Sequence, residues 1–482
     1  MKIYNHIKYC VAFMVVCFTL SFGGCKGFIE VDPPVTSTNA GNVYNGDATA
    51  AAVLTGIYST LVYNENERLG IGGLNIAPSL SADELTPIVN GPTDIVSYYK
   101  NAFNSNISSL LSDFWSRFYG MEFTINSAIE GLNGSNKLTP AVKSQLLGEA
   151  YFMRAFIYFY LINLYGDVPL VLTTNYKGSA VMPRTNSAQV YAQMKEDLLK
   201  AQSLLNDNYL DGTLVKSTTV RVRPNKYTAT ALLARVYLYN EDWQNAEVQS
   251  SKIISNTTAY KMEAVNAVFV KESMESIWSL QPTGIGINAN TGSGRIFILP
   301  SSGPSGEYYL YLNNDLVKSF DADDLRATNW INNVTALGCT YYYAYKYKIG
   351  SVQSATLEYP VIFRLAEQYL IRAEARAQQN KLVGANSAQS DLDVIRNRAG
   401  LGGITVTTQA DLLAAILTER RHELFTEFGH RWFDLRRTKA VDDVMTSATA
   451  RKGGIWTSDA ALYPIPLHEL QSNPNLVQNK GY

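Results

Sequence analysis

Apolar positions along this 482-residue chain recur mainly at helical spacing. Val53, Ile57 and Leu61 share one face behind a capping candidate, Asp47. Thr139-Pro140 opens a second helix that ends before Gly166, and Val190, Met194, Leu198, Ala201 and Leu205 stripe a third. Each helix has a polar opposite face, so the pattern predicts helices that pack on neighbours rather than stand alone.

Two segments repeat one arrangement. In "ALLARVYLYNEDWQNAEVQSSKII", Ala234 is followed by Trp243, Ala246 and Ile253. In "IRAEARAQQNKLVGANSAQSDLDVI", Ala373 is followed at the same spacing by Leu382, Ala385 and Leu392. Small residues at the first and third positions let two antiparallel helices approach closely. Leu233-Ala234-x-x-Tyr237 with Asp242-Trp243-x-x-Ala246 resembles the tetratricopeptide pattern; the second copy lacks the tyrosine. The expected fold is therefore mainly α, with tetratricopeptide-like helix pairs.

Helical periodicity fails over 64–93 and 281–306, which are rich in Gly, Asn, Ser and Pro and read as long surface loops. Variable insertions are expected near 64–104 and 281–358. "YYYAYKYK" alternates, placing Tyr341, Tyr343, Tyr345 and Tyr347 on one strand face and Tyr342, Ala344, Lys346 and Lys348 on the other.

The N-terminus carries a different pattern. Lys2 and Lys8 precede an apolar run from Cys10 to Leu20, then Gly23-Gly24 and Cys25, which is the layout of an export signal. The run falls short of the roughly 20 residues needed to span a bilayer. The residues before Cys25 look like a lipobox, although Phe22 stands where leucine is usual. The expectation is a signal over 1–24, an acylated Cys25 with a tether over 25–45, and one ligand-binding domain over 46–482. Cys10 and Cys17 would leave with the signal, and only Cys339 would remain a free thiol.

Charged residues make up 17% of the chain against the usual quarter or so, and the net charge is −1. That argues against nucleic acid, whose binding needs concentrated Lys and Arg, and suits a neutral ligand. Catalytic motifs are absent: there is no Gly-x-Ser-x-Gly elbow and no phosphate-cradling loop, and "HELFT" at 422–426 lacks a zinc helix's second histidine. "DADD" at 321–324 reads as a solvated turn. No cofactor and no metal are expected. "ERRHELFTEFGHRWFDLRR", Glu419 to Arg437, contains a His430/Asp434 pair that admits an acid–base reading. It also reads as a helix whose Leu424, Phe425 and Phe428 must be buried, leaving its charges in need of partners. The structural reading is preferred.

With "EAYFMRAFIYFYLINLYGDVPLV" (149–171), "SFDADDLR" (319–326), "YPVIFRLAEQYLIRAEA" (359–375), "LDVIRNRAGL" (392–401) and the terminal "LYPIPLHELQSNPNLVQNKGY", the chain resembles the SusD/RagB family of outer-membrane nutrient-binding lipoproteins. The resemblance implies a lipid-anchored receptor on the outer face of a Gram-negative cell. It would sit over a SusC-like TonB-dependent transporter, capture oligosaccharides or, in some members, peptides, and catalyse nothing. A peptide receptor, a secreted hydrolase and a helix-repeat adaptor remain as alternatives.

Sugar rings pack their C–H faces on flat aromatic rings, while their hydroxyls need polar partners. The chain has 31 tyrosines. Asp83, Tyr98, Tyr99, Tyr308 and Trp330 are nominated as ligand-binding residues from loop position and chemistry. Trp115, Trp243, Trp278 and Trp432 are assigned to the core. If the Glu419–Arg437 cluster is structural, Arg431→Ala lowers the melting temperature and leaves ligand affinity little changed; binding lost at unchanged stability would reverse that reading.

Overall fold

A computed structural model describes residues 42–66, 70–88, 91–104, 114–282, 286, 289–336, 338–351, 355–406 and 408–482. The signal, Cys25 and most of the tether lie outside the described residues. The long helices are α1 (Asp47–Asn66), α2 (Phe114–Gly134), α3 (Pro140–Tyr165), α4 (Ser187–Leu204), α5 (Lys226–Tyr239), α6 (Trp243–Ile254), α7 (Leu365–Gln378), α8 (Ala388–Arg398), α9 (Gln409–Leu424), α10 (His430–Arg437) and α11 (Val441–Arg451). From α2 to α8 each packs on the next, so the helices form a continuous stack. α3 begins with a proline in its first turn and ends where Gly166 takes φ 73°. Rather than being amphipathic, it is buried from Gln145 to its end apart from one half-buried ring, Tyr151.

The repeat is present, with one register correction. Ala234, Ala246, Ile253, Ala373 and Leu392 are all fully buried. Ala385, however, is exposed in a longer turn, and Ala388 takes the inward place. The cause is local: Ser387 and Ser390 form a reciprocal capping box that fixes the start of α8 at Ala388. The folded part also begins earlier than residue 46, since Tyr44 packs on the core and its carbonyl accepts from the Ser135 hydroxyl at 2.6 Å.

The expected surface loops at 64–93 and 281–306 are in part interior, although Gln281 and 301–302 are exposed. Residues 71–85 are buried throughout, around short helices Gly70–Gly73 and Ala77–Ser81. A further short helix, Gly292–Phe297, is largely buried too. Small residues let these backbones run close to their neighbours, and polar side chains satisfy the buried groups. The Asn75 amide donates to Ser293 at 3.1 Å and accepts from the Phe428 N–H at 2.7 Å.

Six short strands make three antiparallel pairs. β2 (Ser276–Ser279) with β6 (Val361–Arg364) closes the base of the insertion between α6 and α7. β1 (Leu85–Pro87) with β3 (Leu310–Leu312) joins the two irregular segments, Thr86 opposite Tyr311. β4 (Ile331–Ala336) and β5 (Cys339–Ala344) form a hairpin. The tyrosine strand therefore stops at Ala344, and Lys346 turns inward.

A buried charge network ties the insertion to the helices. Arg364 at the end of β6 bonds Glu275 at 3.2 Å, Glu427 at 2.9 Å, and Glu423. Arg398 reaches Glu423 at 2.5 Å, and Arg326 spans Asp324, Glu419 and Glu423 at 2.8, 2.6 and 3.0 Å. Asp321, Ala322 and Asp323 are exposed as the solvated-turn reading of "DADD" expects, and only Asp324 departs from it, buried and paired. Burial alone would raise the Glu423 carboxyl, but Arg398, Arg364 and Arg326 outweigh it and hold it well below the usual range.

The Glu419–Arg437 cluster is two helices rather than one, broken at 425–429 where Gly429 takes φ 77°. The His430/Asp434 pair of the acid–base alternative is not made, in keeping with the preferred structural reading. Asp434 is held by Arg420 and Arg437, and His430 faces Glu367 at 4.0 Å. Burial first, then Arg235, holds the His430 imidazole well below its ordinary value, so it is neutral and structural. Leu424, Phe425 and Phe428 are buried as expected.

Removing one partner of a buried pair strands the other charges, so Glu423→Ala is expected to destabilise the fold by about 3–5 kcal/mol, measured by chemical denaturation. Glu423→Gln, which keeps the shape, is expected to cost less.

Candidate ligand-binding site

β3 alternates Leu310 and Leu312, buried, with Tyr309 and Tyr311, half-buried and on the opposite face. Thr86 of β1 shares that face through its pairing with Tyr311. The short helix Thr93–Tyr99 packs on β1 and presents Tyr99 beside Thr86. On the other flank β5 brings Tyr341 edge-on to Tyr311, with ring centroids 5.2 Å apart and planes at 77°. Gly303, at φ 82°, lets the 300–309 loop lie on the hairpin; a Cβ there would come within 2.7 Å of Ala336. The result is a patch of half-buried tyrosines assembled from three separate parts of the chain.

Tyr99 and Tyr311 keep neutral phenols. Burial raises the Tyr311 phenol, and its neighbours Tyr99 and Tyr341 add to the shift. Burial also raises Tyr99, offset in part by Thr86. Neutral phenols both donate and accept, and their faces stay available for C–H contact. Lys452 lies beneath, its ammonium 5.3 Å from the Tyr99 ring centroid while it donates to the Leu80 and Ser81 carbonyls at 2.8 and 3.1 Å.

The five nominated residues divide. Tyr99 is in the patch, and Tyr308 lies two residues before β3, half-buried, at a turn where it pairs with Ser305. The other three are structural. Trp330 is wholly buried: its indole N–H donates to the Val265 carbonyl at 2.8 Å, and Lys346, Arg398 and Arg364 lie 5.0, 5.2 and 5.8 Å from its ring. It serves as an aromatic floor for the charge network and offers no face to a ligand. Tyr98 is buried in an aromatic cluster with Phe103 and Tyr463, at centroid distances of 5.3 and 5.1 Å. Asp83 is bidentate to Arg431 at 2.8 and 3.0 Å and pairs with Arg421 at 2.9 Å. Burial would raise Asp83, but Arg431 and Arg421 hold it well below the carboxylate range. Among the tryptophans assigned to the core, Trp115, Trp278 and Trp432 are buried and Trp243 is half-buried. Tyr311 and Tyr341 escaped nomination, although the alternation "YLYL" at 309–312 carried the signal.

Comparison with known proteins decides the family. A model described as "SusD family" matches residues 302–482, and one described as "Starch-binding associating with outer membrane" matches 90–238. A SusD-like protein of Formosa agariphila is 26% identical with the whole of both chains covered. The chain belongs to the SusD/RagB family. Two solved structures share its fold: a SusD superfamily protein from Bacteroides vulgatus (TM-score 0.76, 22% identity, 90% of this chain and 99% of that one) and a laminarin-binding SusD-like protein (TM-score 0.72, 24% identity, the same coverage). The two matched spans meet at the patch, one supplying Tyr99 and the other Tyr311 and Tyr341. Among the described residues no helix is long and apolar enough to cross a membrane.

Beside Asp83, burial pushes Glu84 up to about 7 against the lowering effect of its bonds from Ser79 and the Thr426 N–H. A carboxyl raised in the folded state favours folding most below its unfolded value near 4.5, and that advantage disappears as pH rises towards 7. Glu84→Gln, which accepts the same bonds without ionising, is therefore expected to melt above the wild type at pH 8, by about 2–3 kcal/mol of stability, and close to it at pH 4.5. Thermal denaturation at the two pH values checks this.

Proposed function

We propose that the protein is a non-catalytic, lipid-anchored receptor on the outer face of the outer membrane. It captures neutral oligosaccharides on the tyrosine patch and passes them to a SusC-like TonB-dependent transporter. The observation that carries this reading is the patch itself: Tyr99, Tyr311 and Tyr341 present half-buried rings from three separate elements, in the part of the fold where the helical stack gives way to irregular insertions. Tyr308 at the adjoining turn is included as a further contact for the ligand. Flat rings hold sugar C–H faces, and phenolic hydroxyls pair with sugar hydroxyls without desolvating a charge.

A family described as starch-binding and outer-membrane-associated, and a structural neighbour that binds laminarin, support a saccharide as the ligand class. The buried histidines and fully paired carboxylates of the Glu419–Arg437 cluster leave no acid–base couple there, which supports capture rather than hydrolysis. Anchoring through Cys25 rests on the sequence pattern before it.

Titration calorimetry of the soluble protein against laminarin and starch oligosaccharides, with a peptide digest as comparison, tests the reading. Tyr311→Ala or Tyr341→Ala is expected to weaken saccharide binding at least about fivefold at unchanged melting temperature, on the order of 1 kcal/mol for one stacked ring. Saturable binding of peptides alone, or sugar release by the pure protein, would overturn it.

A further inference from the structure

A cleft lies away from the tyrosine patch and shares no residue with it. It has a volume of about 570 Å³ and opens between α1, the segment 210–223 and the strand ends at 280–282 and Tyr359. Its floor is apolar, formed by Tyr58, Val62 and Leu280, all buried. Its rim carries Ser59, Gln281 and Tyr359, whose side chains make no hydrogen bond to any other described residue.

Charge narrows the occupant. Arg223 lines the cleft, but its guanidinium is bidentate to Glu149 at 3.1 and 2.9 Å and gives a third N–H to Thr55 at 3.0 Å. Asp211 is held by the backbone and hydroxyl of Thr213 at 2.9 and 2.5 Å. An anionic ligand therefore finds no uncommitted cation among the lining residues, and the one lining carboxylate, Asp211, already accepts two bonds from Thr213. A molecule with apolar faces and neutral hydroxyls at its edges matches both floor and rim.

We propose that this cleft is a second binding subsite for a neutral oligosaccharide, independent of the patch. The proposal rests on the saccharide reading of the protein. Ser59 and Gln281 are exposed, so substitutions there change the cleft without opening the core.

The experiment titrates the soluble chain (residues 26–482) with laminarihexaose and, separately, maltohexaose, by calorimetry and by ligand-observed NMR. The expected result is two sites on the wild type for at least one sugar. Tyr341→Ala removes one site, and either Ser59→Trp, which fills the cleft, or Gln281→Ala, which deletes its amide, removes or weakens the other at least fivefold. Melting temperatures of all variants are expected to stay within a few degrees of the wild type. No saccharide binding by the wild type overturns the function reading. Wild-type binding that Tyr341→Ala abolishes, and that Ser59→Trp and Gln281→Ala leave unchanged, overturns the cleft proposal alone, as does competition at the cleft by a peptide digest and not by either sugar.

Discussion

The buried pairing of Arg364 with Glu423 and Glu427 is the constraint on which the rest of the structure depends. Arg364 sits where β6 hands the chain back to the helical stack, and the glutamates sit where α9 ends. Desolvating these ions costs several kcal/mol each, so the pairing is favourable only when every partner arrives together. That requirement makes the network a geometric lock: the insertion must return to one place, or charges are left unpaired in the interior. Lys346 and Arg398 close the same lock from the hairpin side and from α8, around the Trp330 ring.

A locked insertion explains how a patch can be rigid although none of its pieces is a long element. β1 and β3 pair over three residues and β5 belongs to a lone hairpin, and two-stranded pairings have little stability by themselves. They hold because the segments on either side are buried, through Asn75, Glu84 and Lys452 on one flank and the β2–β6 pair on the other. Rings held this way lose little freedom when a ligand settles on them, which favours binding. Charge is kept in the interior, paired, while the patch exposes aromatic rings.

The same economy separates the nominated residues. Asp83 and Trp330 have the chemistry of a sugar site, yet the charge networks use both: one as counter-ion to Arg431 and Arg421, the other as a floor beneath three cations. Tyr98 and Tyr99 are adjacent in sequence, and their places differ because neighbouring positions on one helical turn face different sides. Polarity and loop composition cannot separate such cases, since burial is set by what arrives from elsewhere in the chain.

Local rules were enough for the helices. Pro140, Gly166, the Val190–Leu205 stripe and the paired alanines of the repeat define their elements through periodicity, caps and close approach, all of which act within a few residues. The family was legible too, from long motifs in order. What only the tertiary structure decided was the burial of 71–85 and of most of 292–297, the inward turn of Lys346, and the meeting of Tyr99, Tyr311 and Tyr341. Each depends on partners tens to hundreds of positions away, and no local pattern encodes whether a distant arginine or strand will be there to cover a polar segment.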